Sequence, residues 1–179
     1  MQQYSKKNIT SLSAEERKID TLLEAVINKF PNYKENPIVR EKATRELDRK
    51  IDSVLSLGYL NDIPLKVFRM GKNPVGDGAL VQFRTDNYNY EKEELLSDRL
   101  NFGILGFVDI KLASEVKEDG SYIIYARKLK RLDEREVFSI VDQVYYSSDT
   151  EIIKDAIWNV YNFNIGNMLC EIDSVKLIE

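Results

Sequence analysis

Apolar positions along the chain first repeat at helical spacing and then switch to the two-residue spacing of strands. Ile19, Leu22, Leu23, Val26, Ile27 and Phe30 fall on one stripe, which predicts an amphipathic helix closed by Pro31. Ser13 and Glu16 have the spacing of a capping box ahead of it. Asn36-Pro37 is the next start signal, an N-cap with proline at the first helical position, and Gly58 supplies a C-terminal stop. Between them Leu47, Ile51, Val54 and Leu55 make a second stripe, with Glu41–Arg45 and Glu46–Lys50 as i,i+4 pairs on the wet face. The short connection between the two predicts a helical hairpin.

After Gly58 the period becomes that of β structure. Ile63–Met70 and Ala79–Arg84 read as a hairpin around the turn-forming GKNPVGDG, with Leu65 and Val67, joined by Arg69, on one face. That glycine-rich tip lacks the Gly-x4-Gly-Lys-Ser/Thr order of a phosphate loop. Leu100–Leu112 is the most apolar run and predicts a long buried strand, with Gly103 and Gly106 at points of bend or close backbone approach. Two more strands are expected at Ser121–Arg131, after the Asp119-Gly120 turn, and at Arg135–Tyr146. A second Ser-x-x-Glu box, Ser148 and Glu151, opens an amphipathic helix through Tyr161. Met168–Ile178 closes the chain as a strand bulged near Asp173-Ser174, with Cys170 as a small core residue.

The expected architecture is α+β. A helical hairpin within residues 1–57 precedes a curled antiparallel sheet of about six strands, with one helix before the last strand, in residues 58–179. Closure into an OB-like barrel is one form of such a sheet. A curved open sheet wrapped on the helices, as in cystatin-like folds, is the other. Both are analogies of element order, and no family motif is matched.

Composition narrows the chemistry. The 179 residues contain no histidine and one cysteine, so an intrachain disulfide, histidine-based catalysis and nearly all zinc sites are excluded. No metal site and no cofactor is expected. No run approaches the length of apolar sequence that a membrane helix needs. Net charge is −4, concentrated after residue 62, which disfavours a general nucleic-acid binder but leaves room for a local basic patch. With Met1 as the native start the protein belongs in the cytoplasm. If a signal peptide was removed ahead of it, the protein is exported.

Three groups of residues could carry function. Tyr122, Tyr125, Arg127, Lys128, Lys130 and Arg131 fall on one predicted strand, with Arg135 just beyond it. Alternation puts Tyr125, Arg127, Leu129 and Arg131 on a common face, the mixture of arginine and aromatic residues that single-strand nucleic-acid binders use. Asp142 falls on an apolar face, with Asp109 as a partner across the sheet. A desolvated carboxylate pair suits glycoside hydrolysis. Tyr88 and Tyr90, in an Asn/Tyr-rich loop, together with Tyr59 and Trp158, could line a ligand groove. The function expected is a non-enzymatic binding or protein-interaction module whose partner is a protein or small ligand. The alternatives are an OB-like binder of single-stranded nucleic acid or oligosaccharide, and a carboxylate-only hydrolase.

Overall fold

The computed structural model describes residues 18–61, 63–73, 76–85, 100–133, 136 and 163–178. Helices α1 (Lys18–Lys29) and α2 (Pro37–Val54) form the hairpin, and a short 3-10 turn, Leu55–Leu57, follows α2. The Asn36 side chain accepts hydrogen bonds from the backbone N–H groups of Ile38 and Val39, at 2.9 and 3.2 Å, so two of the orphan donors of α2 are satisfied. Gly58 ends the helical segment at φ 71°, a left-handed value that glycine adopts without a Cβ clash. The buried residues of the two helices are Ile19, Leu23 and Val26 on one and Ala43, Leu47 and Ile51 on the other. Both expected ion pairs, Glu41–Arg45 and Glu46–Lys50, are present on α2.

Five strands follow: β1 (Leu65–Lys72), β2 (Ala79–Thr85), β3 (Leu100–Val108), β4 (Ser121–Leu132) and β5 (Phe163–Leu177). They close into a ring in the order β1-β2-β3-β5-β4. The α+β class is borne out, with five strands among the described residues instead of about six. The sheet is mixed and not wholly antiparallel, because β3 and β5 run parallel from Leu100–Phe163 to Phe107–Glu171. A parallel pair needs a long crossover, and more than fifty residues separate these two strands. Of the expected strand at 135–146 only Glu136 is described, and it is helical, its backbone N–H donating to the Asp133 carboxylate at 2.8 Å in the manner of a helix cap. The rest of that segment, the helix at 148–161 and the capping box at Ser13 lie outside the described residues.

The long apolar strand stops earlier than its hydropathy predicts. β3 ends at Val108, and Ile110–Glu115 form a short helix, α3. Asp109 is the reason: its carboxylate accepts from the backbone N–H of Leu112 at 2.7 Å and caps that helix. Within β3 the expected alternation holds. Phe102, Ile104 and Val108 face the core inside the ring, while Leu105 faces out and packs with Leu80. Gly106 sits inside, where a Cβ would lie 2.1 Å from Cδ1 of Ile172 on β5, so the parallel pair can pack this closely only without a side chain there. Gly103 approaches the Asn167 side chain in the same way on the opposite face.

One apolar cluster joins the helical hairpin to the interior of the ring, taking in Leu47 and Ile51 of α2 and Leu65, Phe83 and Ile104 of the strands. Tyr33, in the turn between the helices, is buried and stacks on Phe163 at the start of β5, with ring centroids 5.3 Å apart. Arg131 of β4 reaches Asp48 and Asp52 of α2 at 3.0 and 3.4 Å, a second tie between hairpin and ring.

Candidate binding surfaces

Strand β4 carries the basic cluster picked out in the sequence, and its regular alternation does not survive. Opposite β5 the register shifts between Arg127 and Lys130, and Lys128 takes φ 55°, so a β-bulge interrupts the strand. Tyr125 and Arg127 stay together on the exposed side, with Arg127 61% exposed, while beyond the bulge Leu129 packs against the core and Arg131 lies opposite the buried Met168, so the four do not share one face as expected. A second shift between Tyr125 and Ala126 leaves Asp173 as the extra residue on β5, which is the bulge expected near Asp173-Ser174. Tyr122 is 1% exposed, meets the Phe83 ring edge-on, and its hydroxyl accepts from the backbone N–H of Lys117 at 2.9 Å. It is a core side chain. Tyr125 remains accessible, at 41%.

Each of the four described cations of this cluster has a carboxylate partner, and Arg135 lies outside the described residues. Arg127 pairs with Glu171 at 3.3 Å and Asp173 at 2.9 Å, and Lys128 with Glu171 at 2.6 Å. Lys130 pairs with Glu136 at 2.7 Å, and Arg131 with Asp48 and Asp52. The contacts also appear in the proton affinities. The hydrogen bond from Lys128 holds the Glu171 carboxyl below its ordinary range, and the one from Lys130 does the same for Glu136. Among the described residues four cations thus face five carboxylates, which leaves the strip without net positive charge there.

The other sequence candidates are dispersed. Asp109 is occupied as the cap of α3. Asp142, Tyr88, Tyr90 and Trp158 lie outside the described residues. Tyr59 packs against the core, with the Lys18 ammonium 6.0 Å from its ring centroid. Cys170 is buried inside the ring, and burial, aided by the nearby Asp173 and Glu171 carboxylates, pushes its thiol pKa up to about 12. Among the described residues no group of acidic or cysteine side chains is arranged to hold a metal ion.

A different surface stands out on the outside of the β1–β2 hairpin. Lys66 lies directly opposite Arg84 in the antiparallel ladder. The register then shifts between Val67 and Arg69, so that Arg69 faces Gln82 and leaves the inner face that it would occupy in a regular strand with Leu65 and Val67. The bulge thereby sets Phe68 and Arg69 together on the outer side. The Arg84 guanidinium carbon lies 3.9 Å from the centre of the Phe68 ring and that of Arg69 4.9 Å from it. Neither Lys66 nor Arg84 has a carboxylate partner among the described residues. Like charges placed directly across a ladder repel, so this arrangement costs stability where the β4 strip gains it. The sequence offered one clue to it, Lys66 and Arg84 at polar positions of adjacent strands. The bulge that completes the cluster leaves no mark in a hydropathy pattern.

Comparison with protein-family models, curated proteins and solved structures found no match.

Proposed function

We propose that this protein is a non-enzymatic binding module built on an OB-type barrel, and that it holds an anionic ligand on the outer face of β1 and β2. The observation that carries the reading is the Lys66–Arg84 pair. Two cations are held opposite each other with no carboxylate partner among the described residues, and one of them is seated on an aromatic ring. Residues that break a local stability rule in an otherwise satisfied fold are where function is to be sought. The barrel assignment draws support from the five-strand ring, its non-sequential β3-β5-β4 order and its closure of β1 on β4 by only two residue pairs. OB-type barrels present their second and third strands, with adjoining loops, to oligomeric ligands, and the face proposed here shares β2 with that surface. A binding role also fits the absence of histidine and the structural employment of Asp109.

The test is retention on phosphocellulose at pH 7 and low salt. A protein of net charge −4 should flow through such a column unless a local patch holds it. Wild type is expected to be retained, Arg127→Glu to be retained equally, and Lys66→Glu combined with Arg84→Glu to flow through. Flow-through of the wild type, or unchanged retention of the double variant, overturns the proposal.

A further inference from the structure

We infer that the ligand of the Lys66–Phe68–Arg84 face is single-stranded nucleic acid, bound through its phosphates by the two cations and through an unstacked base by the Phe68–Arg84 platform. The inference rests on the binding role proposed above and adds the chemistry of the ligand. Charge alone asks only for an anion. The aromatic ring and the planar guanidinium 3.9 Å from its centre ask for more, because a run of acidic side chains offers no ring to stack on them. A nucleobase does, and base faces are accessible in single strands and hidden in duplexes. The β1 bulge supplies the second observation. It sets Arg69 beside Phe68 on the outer face, at the cost of one irregularity in the ladder. The neutralised β4 strip contains no such combination: the cation nearest its one accessible tyrosine, Tyr125, on the same face is Arg127, already held by two carboxylates.

The closing experiment is fluorescence anisotropy of a labelled twelve-residue oligo-dT with the full chain, across sodium chloride concentrations. Two phosphate contacts on a single strand give a slope of about −1.4 in log K against log salt, so binding should weaken about sevenfold between 50 and 200 mM. Phe68→Leu, which keeps an apolar side chain and all charges, should weaken binding roughly tenfold, the scale of one lost base-stacking contact. Arg84→Lys keeps the charge, removes the plane and should also weaken it, which provides the same reading if Phe68→Leu fails to fold. Arg127→Glu should change nothing. Polyglutamate of matched charge should not compete, and a duplex of the same length should bind more weakly. Absence of oligo-dT binding overturns the inference, as does equal competition by polyglutamate or indifference to both Phe68→Leu and Arg84→Lys. Retention on phosphocellulose without any oligo-dT binding would leave an anion site standing and remove nucleic acid from it.

Discussion

If the Lys66–Arg84 pair is kept for binding at the expense of stability, reversing one charge should stabilise the fold. Lys66→Glu is the cleanest reversal. Its other cross-strand neighbour, Ser121 on β4, is uncharged, so the new carboxylate meets one strong partner. Side chains directly opposite in an antiparallel ladder have Cβ atoms about 5 Å apart, and a charge pair there contributes roughly 0.2–1 kcal/mol, with like charges costing a comparable amount. Replacing repulsion by attraction removes one term and adds the other. Both side chains are partly exposed, which places the sum at about 1 kcal/mol and not higher. Lysine and glutamate are similarly poor strand residues, so propensity contributes little. For a chain of this size, 1 kcal/mol raises Tm by about 2–4 °C. Thermal unfolding followed by circular dichroism at 20 mM and 1 M sodium chloride is the assay. The gain should be present at low salt and largely gone at 1 M, where the Debye length is about 3 Å. A lower Tm, no change at low salt, or a gain indifferent to salt would refute the electrostatic reasoning.

Other outcomes follow from the packing and the ion pairs. Gly106→Ala should destabilise by about 1–3 kcal/mol through overpacking against Ile172, and adding Ile172→Val should recover part of that loss; additive effects in urea unfolding would show that the two sites do not touch. Tyr33→Ala should cost about 3 kcal/mol and leave unfolding a single transition, since the stacked Tyr33–Phe163 pair ties hairpin to ring; separate transitions for helix and sheet signals would contradict this. The carboxyls of Glu46, Glu136 and Glu171 are all held below their ordinary range, chiefly by lysine hydrogen bonds, so their stabilising contribution is complete above the unfolded-state range and is lost as pH falls through the lowered values. The urea midpoint should therefore drop between pH 5 and pH 3, and by less in Glu171→Gln; an equal drop in that variant would remove Glu171 from the account. The Cys170 thiol, with its pKa near 12, should resist a thiol reagent at pH 8 until the chain is unfolded, and rapid labelling of the native protein would show that the ring interior is accessible.

Much of the framework was legible in the pattern of apolar residues. The helical stripes, the Asn36 cap and the Gly58 stop are local signals, and each sits where spacing put it. The β1–β2 hairpin and the β5 bulge at Asp173 follow from the same kind of local information. What the sequence hid depends on partners distant in the chain. The parallel β3–β5 pairing is a long-range choice that leaves no signature in either strand. The end of β3 at Val108 turned on one side chain: Asp109 looked like the polar member of an alternating strand, and is the cap of a helix. The bulges at Phe68 and Lys128 mattered most. Each shifts every later residue to the other face, so the faces drawn by strict alternation were wrong beyond them. Arg69 and Leu129 were both misplaced for this reason.

The same comparison bears on how a binding surface is to be sought in an acidic protein. Counting cations along the sequence favours β4, where four basic residues fall within five positions. Each of those cations is already engaged by a carboxylate from β5, α2 or Glu136, and an incoming anion would have to displace those bonds before making its own. Lys66 and Arg84 present fewer charges, but among the described residues no carboxylate has to leave, and an anion arriving between them relieves their mutual repulsion. The favourable change on binding is therefore larger at the smaller cluster. What distinguishes the two surfaces is the state of pairing among the described residues, which the fold determines, and this is the ground on which we propose the β1–β2 face as an anion site.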